Sequence, residues 1–190
     1  MPPWAVLDEC AIPTFPTPGS MTPSPTPDPS RWRVFVTSSK FSGDTLGGIS
    51  QADAHCQDAA DAAGIGGDFR AWISETNNHA IDRIPDGGPW YTVDRTEMVF
   101  SSRSNWMTTP IRQISIDERA TDHSNGTLEA RVWTGTLSGG MAGDMNATCG
   151  NWSDPLASGV FGTIFRTTTE WTDWSTGSCT EQYRLYCFEF

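Results

Sequence analysis

Hydrophobic and polar positions alternate over only a few short stretches of this chain, and the period of the alternation differs between them. Trp32–Thr37 (WRVFVT) is a brief apolar run bounded by polar residues, the pattern of a strand. Between Ser50 and Gly64 the period becomes helical: Ala52, Cys56, Ala59, Ala60 and Ala63 share one stripe, while Asp53, Gln57 and Asp61 lie off it. Ser50 reads as the N-cap, with Asp53 three residues on as its capping-box partner, and Gly64 takes the position that ends the helix. The small residues predict close packing on a sheet and place Cys56 on the buried face. Phe69–Ser74 (FRAWIS) alternates with Phe69, Ala71 and Ile73 on one side, and Arg131–Thr136 and Tyr183–Phe190 behave similarly. The last of these reaches the C-terminus, where only pairing, most simply with the first strand, would keep it ordered. The long Gly-, Asn-, Asp-, Ser- and Thr-rich stretches between these runs are expected to be functional or covalently pinned.

Ahead of the first strand the pattern is of another kind. Residues 11–30 alternate Pro with Thr and Ser, so residues 1–30 predict an extended, solvated stalk, and the domain proper spans 31–190. Nine Trp and nine Phe provide for a real core. The net charge of −11, with Lys40 the one lysine, makes nucleic acid, sulfated polyanions and anionic membranes poor partners. No stretch is long and apolar enough to span a bilayer. Asp8 and Glu9 stand where an export signal would need a basic and then an apolar run, so the sequence as written shows no such signal.

Five cysteines change the picture most. Cys10 lies in the stalk, where it would be available to link chains into an oligomer; Cys56, Cys149, Cys179 and Cys187 lie in the domain. No CxxC metal spacing occurs, and a loop-rich domain on a stalk favours disulfides over buried thiols, hence an extracellular or cell-surface location. Four cysteines allow three connectivities, and spacing does not choose among them. Cys56 points inward and Cys187 shares a strand face with Leu185. A bond between them would fasten helix to terminal strand, leaving Cys149 and Cys179 to close the loop between them.

Two segments, Gly47–Cys56 (GGISQADAHC) and Ala62–Ser74 (AAGIGGDFRAWIS), resemble the start of the endostatin domain of certain collagens, and more closely the bacterial endostatin-like surface domains. Downstream, Val132–Gly135 (VWTG), Cys149–Trp152 (CGNW), Ser178-Cys179 and Arg184–Glu189 (RLYCFE) follow in that family's order. The resemblance covers roughly Arg31 to Phe190. It implies an α+β, C-type-lectin-like fold: two helices on a twisted, mostly antiparallel sheet with long loops and adjacent chain ends. It also implies nested disulfides, Cys56–Cys187 and Cys149–Cys179, and no catalytic activity. The Arg clusters for heparan sulfate and the N-terminal zinc histidines of the collagen-derived members have no counterpart here.

The function expected is therefore that of a non-enzymatic secreted or cell-surface module that binds an extracellular protein or glycan. Trp133 and Trp152 fall on core positions of the family, whereas Trp90, Trp106, Trp171 and Trp174 sit in loop-like stretches and are the candidate ligand surface. One alternative is a calcium-dependent lectin. The family's Glu-Pro-Asn, Gln-Pro-Asp and Trp-Asn-Asp motifs are absent, but Asp144, Asn146, Asn151, Asp154 and Asp173 supply the oxygen ligands calcium takes. Another is a structural appendage of a surface fibre or virion. His55, His79 and His123 match no zinc spacing, and no GxSxG, HExxH or phosphate loop is present. Asn125, Asn146 and Asn151 each open an N-glycan acceptor pattern, relevant only in a glycosylating host.

Overall fold

The computed structural model describes residues 30–107, 109–125 and 130–190, and the side chains of Trp106 and Met107 are outside that description. The expected stalk, up to residue 29 and including Cys10, also lies outside the described residues.

Among the described residues the fold is α+β with three α-helices, two of them single turns. The strands run β1 (Trp32–Val36), β2 (Phe41–Ser42), β3 (Phe69–Ala71), β4 (Trp90–Tyr91), β5 (Met98–Phe100), β6 (Arg131–Trp133), β7 (Ser158–Thr163), β8 (Ser175–Ser178), β9 (Gln182–Tyr183) and β10 (Tyr186–Glu189). The helices are α1 (Ile49–Ala63), α2 (Ala80–Arg83) and α3 (Cys149–Trp152). A five-stranded sheet in the order β3-β10-β1-β4-β5 forms the centre, beside a three-stranded sheet β6-β7-β8 and a two-stranded pair β2-β9. The C-terminal strand pairs antiparallel with β1, Phe35 opposite Cys187, and with β3 on its other side. The β1–β4 pair is parallel, so the central sheet is mixed.

Strand periodicity divides the interior into two cores. Val34 and Val36 of β1, with Tyr186 and Phe188 of β10, face a cluster built on Trp72, Trp90, Phe100 and Trp171. Phe35 and Cys187 face the opposite cluster, which holds Ala52, Cys56 and Ala60 of α1, Phe69, Ala71 and Ile73, and Trp133 and Trp152. The alternation expected of Phe69, Ala71 and Ile73 is thus observed, although the strand itself ends at Ala71.

Both disulfides are present. Cys56–Cys187 staples α1 to β10 across 131 residues of sequence, and Cys149–Cys179 closes a loop of 30. Each contributes about 2–4 kcal/mol by restricting the unfolded chain.

The start of α1 departs from the expected cap. The helix begins at Ile49, with Gly48 (φ 88°) as N-cap, and Ser50 lies inside it. The Ile49 N–H donates to Glu75 Oε1 at 2.8 Å, so a carboxylate from a distant loop does the capping. A side chain on Gly48 would collide with that carboxylate. Asp53 is taken instead by Arg83 at 2.5 Å and by the Ala71 N–H at 2.9 Å. The end is as expected: Gly64 is left-handed (φ 69°), and its N–H returns to Ala60 O and Asp61 O.

Candidate functional site

The segment from Thr134 to Trp174 carries most of the large apolar side chains that face solvent. Leu137 is 39% exposed, Met141 47%, Met145 56%, Leu156 95% and Trp174 41%; the remaining one among the described residues is Ile111. Leu137 and Met141 face one another across a tight hairpin. The Leu137 N–H donates to Met141 O at 2.8 Å, the Gly140 N–H to Leu137 O at 3.0 Å, and Thr136 bridges Ala142. Gly139 and Gly140, at φ 94° and 83°, make the turn, a conformation that a side chain would strain.

The root of this hairpin is a buried hydroxyl network. Ser74 Oγ lies 2.8 Å from Thr136 Oγ1 and accepts the Ala80 N–H at 2.9 Å. Thr134 Oγ1 donates to Thr172 O at 2.6 Å, and Thr172 Oγ1 accepts from Trp72 Nε1 at 2.8 Å. All four hydroxyl residues are buried, so each bond is formed away from competing water. Further bonds hold the outer parts: the Ala142 N–H donates to His79 Nδ1 at 3.0 Å, and the Ser138 N–H to Asp173 Oδ2 at 2.9 Å. The second of these ties the hairpin to the residue preceding Trp174.

Below this face, α3 is a left-handed turn. Cys149, Gly150, Asn151 and Trp152 have φ of 50°, 59°, 57° and 65°, a conformation that costs a non-glycine residue roughly 1–2 kcal/mol. Its anchors are the Cys149–Cys179 bond, the Trp152 Nε1–H to Ser74 O at 2.9 Å, and the Thr76 N–H to Asn151 Oδ1 at 2.9 Å. Trp174 packs edge-on to Phe161 with ring centres 5.6 Å apart. The Arg131 guanidinium lies over the rings of Phe161, Trp174 and Tyr183 at 5.0, 5.9 and 5.5 Å and donates to Tyr183 Oη at 2.9 Å.

Of the three described tryptophans expected to form a ligand surface, Trp174 is exposed. Trp90 and Trp171 belong to the core and correct that expectation. Trp90 Nε1 donates to Glu189 O at 2.9 Å, and Trp171 packs on Trp72 with ring centres 5.1 Å apart. Trp90 lies in β4 of the central sheet and Trp171 in a short helical turn packed on the core, placements that the spacing of the residues does not reveal. The Trp106 side chain is outside the described residues.

The calcium candidates serve their own backbone. Asp144 Oδ1 caps the Ala147 N–H at 3.0 Å, Asp154 Oδ1 the Leu156 N–H at 2.8 Å, and Asn151 and Asp173 hold Thr76 and Ser138. Asn146 is exposed beside Asp144. Among the described residues, no three His, Cys, Asp or Glu side chains converge on a point that could hold a metal ion. Of the glycan-acceptor asparagines, Asn125 and Asn146 are exposed, whereas Asn151 is half-buried and engaged.

A separate polar cluster pins the 115–123 segment. His123 Nε2 donates to Asp117 Oδ2 at 2.9 Å, and Arg184 Nη2 lies 3.3 Å from His123 Nδ1. Arg184 also donates to Thr37 O and Ser38 O, both at 2.6 Å. Burial raises the Asp117 carboxyl, but the Thr121 N–H, the His123 ring and the Arg119 N–H outweigh it and hold the group below the ordinary Asp value. A carboxylate–histidine pair invites a catalytic reading. Here the ring nitrogen that would take a nucleophile's proton faces a guanidinium, which fixes the pair as a structural clasp. Elsewhere, His55 stacks on Phe41 at 4.2 Å, and burial lowers its pKa against the opposing pull of Asp58.

No family model matches the chain, and no curated protein does.

Sequence reasoning missed the hairpin. Its signal was legible, since Leu-Ser-Gly-Gly-Met places a diglycine turn between two apolar residues.

Proposed function

We propose that the chain is a secreted or cell-surface binding module of the endostatin-like, C-type-lectin-like type. It recognises an extracellular protein or glycan through the Leu137–Met145 face and Trp174, and it performs no catalysis. The observation that carries this reading is that Leu137, Met141, Met145 and Trp174 all face solvent on loops rooted in a buried hydroxyl network, with Asp173, next to Trp174, bonded to Ser138 of the hairpin. Such a face has no role in the core and costs solubility. A fixed root lowers the ordering cost that free loops would incur on binding. Two disulfides fit an oxidising compartment, and no helix among the described residues is long and apolar enough to cross a membrane.

The test is a screen of the labelled chain against arrays of glycans and of extracellular proteins, run beside a Met141→Ala/Met145→Ala/Trp174→Ala variant. The expected result is a ligand retained by the native chain and lost by the variant at unchanged melting temperature. Retention of every ligand by the variant would refute the assignment of this face.

A further inference from the structure

We infer that the partner of this face is a cationic polypeptide segment bearing large apolar side chains, an inference that rests on the binding reading above and narrows it. Three observations converge on that chemistry.

The first is the kind of apolar surface presented. Away from Trp174, the large apolar groups exposed on the hairpin and the turn after it are Leu137, Met141 and Met145. Sugar rings are held by flat aromatic faces with polar groups arranged around them. Unbranched thioethers beside a leucine instead adapt to irregular aliphatic and aromatic side chains, which is how methionine-rich surfaces take up polypeptides.

The second is charge. Arg131 is engaged over the Phe161, Trp174 and Tyr183 rings, and from Val132 to Tyr183 the chain carries Asp144, Asp154, Glu170, Asp173 and Glu181 against one further cation, Arg166. That arginine is already paired with Glu170 at 3.2 Å. Asp144 precedes Met145 directly and is exposed, and Asp173 is bonded to the Ser138 N–H inside the hairpin. The whole chain, at −11, extends the same field outward and draws positive ligands toward it. A polyanionic glycan or an anionic lipid surface would meet repulsion from Asp144 and Asp173.

The third is rigidity. A face anchored on buried hydroxyls and a disulfide selects a ligand that adapts to it, and a short peptide segment does so by choosing its own conformation.

The experiment pans a random peptide display library on the full chain without reductant. The recovered peptides are then titrated by fluorescence anisotropy at low and high salt. The proteins compared are the native chain and its Met141→Ala/Met145→Ala, Met145→Lys and Met145→Glu variants, each first checked for native melting. The recovered peptides are expected to combine Lys or Arg with Leu, Phe, Trp or Met, and to bind more weakly as salt rises. The alanine pair should weaken them about tenfold, and Met145→Lys should weaken them at least tenfold more than Met145→Glu does. Alanine variants that bind like the native chain would overturn this inference together with the binding face itself. Alanine variants that lose binding, while the recovered peptides are acidic or neutral and Met145→Lys equals Met145→Glu, would overturn the cationic partner alone and leave the face standing. Failure to recover any peptide from a chain that retains a neutral glycan would have the same meaning.

Discussion

The most tightly held buried charge among the described residues is an arginine–glutamate pair on the central sheet. Arg33 holds Glu189 through Nε at 2.6 Å and Nη2 at 2.7 Å, and the Arg33 N–H donates to the same carboxylate at 2.8 Å. Arg95 approaches it at 3.5 Å. Removing one partner leaves the other desolvated and alone. Glu189→Ala is therefore expected to cost about 3–5 kcal/mol in urea unfolding, far more than an exposed pair such as Arg166–Glu170 would. The titrating groups make a second prediction. His55 sits below its ordinary pKa when folded, so the unfolded chain binds its proton more readily, and stability falls as pH drops through the region at and below 6.5. Asp117 is also depressed; its contribution is present above the ordinary Asp pKa and is lost as pH falls through the folded value. Both act in the same direction. Melting temperature followed from pH 8 to 3 should decline, with His55→Asn reducing the loss at and below 6.5 and Asp117→Asn reducing part of the loss in acid, where Asp94 and Asp122 are depressed too. None of these pairings could be read from the sequence, because the partners lie far apart in it and nothing local marks Arg33 for Glu189.

Elements were legible where period and punctuation agreed. The α1 stripe, its glycine stop, the strand faces and the pairing of the terminal strand with the first all follow from spacing. The N-cap did not, because the capping carboxylate, Glu75, arrives from another loop. The single-turn α3 was equally unreadable: Gly150 hints at a left-handed residue, but Cys149, Asn151 and Trp152 join it only because tertiary bonds hold them there. The hydroxyl network offers a test at this scale. Thr172→Val removes the acceptor of Trp72 Nε1 while keeping the volume, so it should cost about 1–3 kcal/mol. It should also raise hydrogen exchange at the Thr136–Ala142 hairpin more than in β10. At the sheet, a Cβ on Gly162 would stand 1.9 Å from Trp171 O. Gly162→Ala should therefore destabilise by more than about 2 kcal/mol, with the Trp171–Asp173 segment displaced.

At the scale of the molecule, a small central sheet carries more irregular chain than its own hydrogen bonds would hold. The two crosslinks supply the difference. One ties the long helix to the middle of the central sheet, and the other ties α3, and with it the root of the exposed face, to the end of β8. The loop-rich composition and the cysteine count favoured crosslinks, while the pairing was what the resemblance implied. Of the proposed face, the exposure of Trp174 was expected, while Trp90 and Trp171 proved to be core and the Leu137–Met141 hairpin went unseen. Packing against a distant element decides which loop aromatics reach solvent, and local pattern does not encode that. The measurement that bears most directly on the account is peptide mass mapping of the purified chain, alkylated without reductant. The account predicts crosslinked peptides joining Cys56 to Cys187 and Cys149 to Cys179, with no alkyl label on any of the four. Four labelled, free thiols in a chain that still melts cooperatively would contradict it.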